Sequence, residues 1–147
     1  MRYRRRYRRP VTGTVTLIRA PELSDVAEYA YAAGVTPPAR LVFTAGACPL
    51  DAVGRTVAPG DPAAQARQVM ANLETALAAA GAALPDVVRT TVYVATTDRA
   101  DLVAVWQVVR DAFGDHDPPS TLLGVTVLGY PDQLVEVEAV AAVREVA

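Results

Sequence analysis

A chain of 147 residues, 52% hydrophobic and 20% charged, has the make-up of one globular domain, which excludes a disordered, collagen-like or disulfide-framed protein. The formal net charge of −2 hides an asymmetry: all 14 basic residues are arginine, and Arg2, Arg4, Arg5, Arg6, Arg8 and Arg9 precede Pro10, so an acidic body follows a basic arm. A single cysteine, Cys48, excludes an intrachain disulfide, a single histidine, His116, excludes a histidine-rich metal site, and no apolar run approaches the ~20 residues that span a bilayer.

The arm, residues 1–13, is expected to be a mobile basic tail. Tyr3 and Tyr7 between its arginines could stack on bases, but the acidic body would repel nucleic acid beyond it, so nucleic acid is not expected as a partner. Residues 14–147 are expected to form a single domain. Thr14 to Ile18 is β-branched and predicts a short strand; residues 19–39 are polar and turn-rich. Arg40 to Ala45 predicts a second strand stopped by Gly46 and Pro49, and 51–60 a turn with a short return strand around Arg55 to Val57. The first helix has clear ends: Asp61 as N-cap, Pro62 at the first helical position and Gly81 just past the end, with Ala66, Val69, Leu73, Leu77 and Ala80 on one face. From Asp86 to Thr96 the chain alternates as a strand, with Val88, Thr90, Val92 and Val94 on one side and Val87, Arg89, Thr91 and Tyr93 on the other. A second helix runs from about Asp98 to Phe113, and Gly114 ends it. Strands around Thr121 to Leu128 and Leu134 to Val143 complete the chain.

This order predicts an α+β fold, a mostly antiparallel sheet with both helices on one face. The other face then lacks cover, and association with identical copies would bury it. With no metal-ligand spacing, no phosphate-binding loop and no signal-peptide core, the expectations are no metal, no cofactor, no membrane association and a cytoplasmic location. His116 lies in a polar loop and is expected to be solvated, so no Ser-His-Asp triad can be argued. Cys48 is either a small buried residue or a thiol lining a site. Glu136 and Glu138 share one face of the last strand; on an outer face they are merely solvated, whereas at an association surface a carboxylate could activate water.

Several segments, in order, resemble the RidA family (also called YjgF/YER057c/UK114): Leu41-Val42-Phe43-Thr44-Ala45-Gly46 with Pro49-Leu50-Asp51, Gly60-Asp61 with Ala64-Gln65, Val69-Met70-Ala71-Asn72-Leu73, Asp86-Val87-Val88-Arg89-Thr90-Thr91-Val92-Tyr93-Val94, and Leu134-Val135-Glu136-Val137-Glu138-Ala139. The resemblance implies a chorismate-mutase-like fold and a homotrimer with ligand clefts between subunits. It also implies hydrolysis of reactive enamines and imines, such as 2-aminoacrylate, to a keto acid and ammonia without a cofactor. Carried over by position, it places the pocket tyrosine at Tyr29, with Tyr31 as a shifted alternative, and the water-positioning glutamate at Glu136. Other family positions are changed. Ser120 stands where the carboxylate-clamping arginine belongs, Leu122 replaces a cysteine, and Ala45 and Ala47 replace the serine and glutamine flanking Gly46. Trp106 replaces an asparagine.

Serine cannot replace the bidentate arginine contact, and Trp106 favours a neutral or aromatic ligand. The function expected is therefore hydrolytic deamination of an imine, enamine or related labile C–N compound with altered specificity. Tyr29 and Glu136 would be catalytic. Tyr31, Ala45, Gly46, Cys48, Arg89, Trp106, Ser120, Thr121 and Leu122 would line the substrate cleft. The alternative is a non-catalytic trimer that keeps the pocket to bind a small molecule or to act as a scaffold. RNA cleavage has little basis in a chain with one histidine and an acidic body.

Overall fold

The computed structural model describes residues 13–26 and 28–146; the basic arm, apart from Gly13, lies outside them. The element order is β1 (Val15–Ile18), β2 (Ala32–Val35), β3 (Ala39–Phe43), α1 (Pro62–Ala79), β4 (Val87–Ala95), α2 (Arg99–Phe113), β5 (Ser120–Val125) and β6 (Val135–Arg144), with a 3-10 turn at Leu84–Asp86 before β4. This is the expected α+β architecture, with the strands divided between two sheets. Four strands form the main sheet in the order β3-β6-β4-β5, while β1 and β2 form a separate antiparallel pair.

The main sheet is antiparallel except for β4 and β5, which run parallel from Thr90↔Ser120 to Ala95↔Val125. Parallel neighbours need a crossover, and α2 supplies it. Both helices pack on one face of this sheet. Leu73 and Leu77 of α1, Val105 and Val109 of α2, and Val92, Val94, Val135 and Val137 of the strands are fully buried together. Helix ends follow the expected chemistry. The Asp61 side chain accepts from the Ala64 N–H at 3.0 Å with Pro62 in the first turn, and Gly81 beyond the end takes φ of +75°.

Three details differ from the sequence reading. Residues 32–35 are a strand, although Ala-Ala-Gly-Val carries no alternation; its pairing with β1 (Val15↔Val35 to Ile18↔Ala32) defines it. The return strand near Arg55 to Val57 shrinks to one bridge, Leu50↔Thr56. A register shift between Val87 and Arg89 turns Val87 into the core, fully buried, instead of onto the side of Arg89. The sheet face away from the helices carries Leu41, Phe43, Arg89, Thr91, Tyr93, Glu136 and Glu138. Phe43 is 71% exposed and Leu41 49%. No helix among the described residues is long and apolar enough to cross a membrane.

Candidate functional site

Strict alternation along β6 sends Val135, Val137 and Ala139 into the core and Glu136 and Glu138 to the open face. Beside Glu136 the chain leaves β3 and closes back on β6 through paired hydrogen bonds between Ala47 and Val137 (2.8 and 3.2 Å). That closure lays the 46–48 loop against the glutamate. A Cβ on Gly46 would fall 2.6 Å from Glu136 Cδ and 2.7 Å from Cγ, so only glycine allows this approach. The Cys48 thiol donates to Glu136 Oε1 at 3.0 Å. Burial, and then the neighbouring Glu136, push that thiol up to about 11. Cys48 is thus half-buried and in contact with the candidate catalytic carboxylate.

A second cluster forms at the other edge of the sheet. Tyr29 stands edge-on to Trp106 of α2 (ring centroids 5.6 Å apart, planes at 88°) and to Tyr31 (6.4 Å, 64°). These rings, with Ser120, Thr121 and Leu122 of β5, line an open depression of about 580 Å³. Tyr29 is half-buried and Tyr31 37% exposed, so Tyr29 is the better-seated of the two. Trp106 also packs against the core. Ser120 pairs with the Thr90 hydroxyl at 2.6 Å and donates to the Pro118 carbonyl at 3.1 Å. Its side chain is committed to the sheet.

Apart from Thr121, whose side chain shares the open face with Thr91 and Arg89, the two clusters lie on opposite sides of the main sheet. Ser120 and Leu122 are in register with Thr90 and Val92, which face the helices, whereas Glu136 is in register with Tyr93 on the open face. Arg89 also lies on the open face, donating to Thr121 Oγ1 at 3.1 Å and lining a shallow depression of about 210 Å³ with Thr44, Thr91 and Glu138. One chain therefore brings Glu136, Gly46 and Cys48 together, and separately Tyr29, Tyr31, Trp106 and residues 120–122. Ala45 is exposed next to the first group. His116, expected to be solvated, is half-buried with Nε2 2.7 Å from the Val87 carbonyl, a contact that ties the loop after α2 to the start of β4.

Chemistry alone did not single out three residues that shape the site. Asn72 of α1 donates to the carbonyls of Cys48 (2.8 Å) and Leu50 (3.0 Å), fastening the loop beside Glu136. Gln65, fully buried, accepts from the Leu134 N–H at 2.7 Å and donates to the Asp132 carbonyl at 2.8 Å, anchoring the start of β6. Tyr93 donates to Glu138 Oε1 at 2.7 Å, and this bond ahead of burial raises the Tyr93 pKa. A polar residue on a helix face that otherwise faces the core was the available signal for Gln65.

A family model described as endoribonuclease L-PSP matches residues 22–143. The chain belongs to this family. A RutC family protein of Pyrococcus horikoshii is 36% identical over 100 residues, which are 68% of this chain and 77% of that protein. The 3-aminoacrylate deaminase RutC of Acinetobacter baylyi is 34% identical over 103 residues, 70% of this chain and 79% of the relative. Among solved structures, a Yersinia pestis protein of the conserved Rid family superposes with a TM-score of 0.83 at 30% identity, covering 89% of this chain and all of that one. A Mycobacterium tuberculosis member of the YjgF/YER057c/UK114 family, 36% identical, gives 0.59 over 88% of this chain and 99% of its own. In this L-PSP family chain the Glu136 and Tyr29 clusters fall within the matched residues.

Proposed function

We propose that the protein is a cytoplasmic hydrolytic deaminase that converts a reactive imine or enamine, or a related labile C–N compound without a carboxylate handle, to a carbonyl compound and ammonia. Its site would be a cleft between subunits of a homotrimer, where the open sheet face of one copy meets the aromatic edge of the next. The observation that carries this reading is the Glu136 carboxylate on that open face, held against Gly46 with Oε1 on the Cys48 thiol. The similarity to a protein named 3-aminoacrylate deaminase supports the reaction class.

In this reading Glu136 Oε2 takes a proton from water as the water oxygen attacks the imine carbon. Glu136 passes that proton on to the imine nitrogen, giving a neutral carbinolamine; the hydroxyl proton is then relayed through Glu136 to the nitrogen as the C–N bond breaks, which releases ammonia and leaves the carbonyl. An enamine first tautomerises to the imine. Tyr29, Tyr31 and Trp106 would hold a neutral or aromatic substrate by ring contacts. The reading is tested by measuring ammonia release from a panel of amino-acid-derived and neutral imines. At least one neutral imine is expected to be turned over, and Glu136→Gln is expected to lower that turnover by about 10²-fold or more while keeping the fold. Equal rates for the variant and the parent would overturn the mechanism.

A second reading, a trimer that binds a small ligand without transforming it, draws on Ser120. Its hydroxyl is engaged with Thr90 and Pro118 and presents no cation to a substrate carboxylate. Ligand-dependent thermal stabilisation with no ammonia from any imine would favour it.

A further inference from the structure

We infer that the Cys48 thiol, on a loop fastened to α1 by Asn72, is the positioning residue that orients the Glu136 carboxylate. The inference rests on the deaminase reading for its purpose, and its first test is independent of turnover. Among the described residues, Cys48 Sγ is the only side-chain donor within hydrogen-bond distance of Glu136, at 3.0 Å from Oε1. The opposing wall is the Gly46 backbone, so close that a methyl group there would overlap Cγ and Cδ of the glutamate. A side chain with three rotatable bonds is thus confined between a donor and a wall. One oxygen is bound and Oε2 is left for water.

The donor is itself fixed. Asn72 Nδ2 bonds the carbonyl of Cys48 at 2.8 Å and that of Leu50 at 3.0 Å, and Gln68 Nε2 sets the amide by donating to Asn72 Oδ1 at 3.0 Å. Helix α1 therefore determines where the thiol sits, and the thiol determines where the carboxylate points. A thiol is a weak donor but an obligate one while protonated. Its pKa of about 11, raised by burial and then by Glu136, keeps it protonated through the neutral range. The thiol does not reach reacting atoms; it acts through Glu136.

Cys48 is the sole cysteine of the chain, so the protein has a single S–H stretching band in the infrared, which Cys48→Ser must abolish. In Glu136→Ala the band is expected at higher frequency than in the parent, because the carboxylate acceptor is gone. An unmoved band overturns the inference whether or not any imine is hydrolysed. A crystal structure of Cys48→Val, which keeps an apolar side chain of slightly greater volume and removes the donor, is expected to show Glu136 in another rotamer or in several; an unchanged rotamer overturns it. Should an imine substrate be found, Cys48→Val is expected to lower kcat by up to ~10²-fold with KM little changed, and Cys48→Ser to restore part of the loss. Equal kcat in Cys48→Val and the parent overturns the positioning role. Failure of every imine alone removes the deaminase reading and leaves the band and the rotamer to decide the inference.

Discussion

Gly46 and Glu136 make a contact that tolerates no Cβ, yet the atoms in the way are the flexible end of a glutamate. Gly46→Ala is therefore expected to push Glu136 off its rotamer at a stability cost of about 0.5–1.5 kcal/mol, small in chemical denaturation, while lowering any hydrolytic turnover more than tenfold by the ~10²-fold-per-ångström sensitivity of positioned groups. Ser120 leads to an expectation about substrate: with its hydroxyl on Thr90 and no guanidinium at that place, 2-aminoacrylate should be turned over more slowly than a neutral imine, as ammonia release would report. Cys48 leads to one about pH. Its folded pKa of about 11 lies above the ordinary 9.0. Between these values the unfolded chain releases the proton and the native protein retains it, so stability present below pH 9 is lost as pH rises toward 11. Denaturant titrations should show a steeper decline over that window for the parent than for Cys48→Ser.

Among the elements, the helices were legible because their signals are local. The N-cap at Asp61, proline in the first turn and a left-handed glycine beyond the end all act within a few residues, and each appears in the structure. Asp61→Ala should cost about 1 kcal/mol in thermal or denaturant unfolding by removing the bond to the Ala64 N–H, with the site intact. β6 was equally legible, since period-2 alternation alone assigns Glu136 and Glu138 to one face. β2 was not legible: small residues without alternation become a strand only by pairing with β1. Strict alternation puts Val87 on the side of Arg89, whereas a bulge turns it into the core, and a bulge belongs to the pairing with β6. Contacts made across the chain stayed hidden. Cys48 and Glu136 are separated by 88 positions, and they meet through the Ala47–Val137 bridge, which no spacing reveals.

For the molecule as a whole, two helices cover one face of the four-stranded sheet and leave Leu41 and Phe43 exposed on the other. Burying a Phe side chain recovers roughly 1.5–3 kcal/mol, an incentive for association that repeats in each copy. Phe43→Glu should therefore convert a trimer into monomers, read by light scattering at micromolar concentration, while circular dichroism stays unchanged. A trimer that persists would show that another surface holds the assembly. The open face also explains why the candidate site was legible in its residues and hidden in its arrangement. Glu136, Tyr29 and Ser120 could each be picked out by resemblance, but the sheet standing between them depends on strand order.

The proton held by Cys48 has one more consequence. Imines and the carbonyl compounds they yield are electrophiles, and the side chains they modify covalently are thiolates and primary amines. A thiol whose pKa lies near 11 is almost never a thiolate at neutral pH, and the sequence contains no lysine. A protein that concentrates such a compound in its cleft is thereby poorly equipped to be modified by it: burial, and then the same bond that aims Glu136, keep the nearest sulfur chemically quiet.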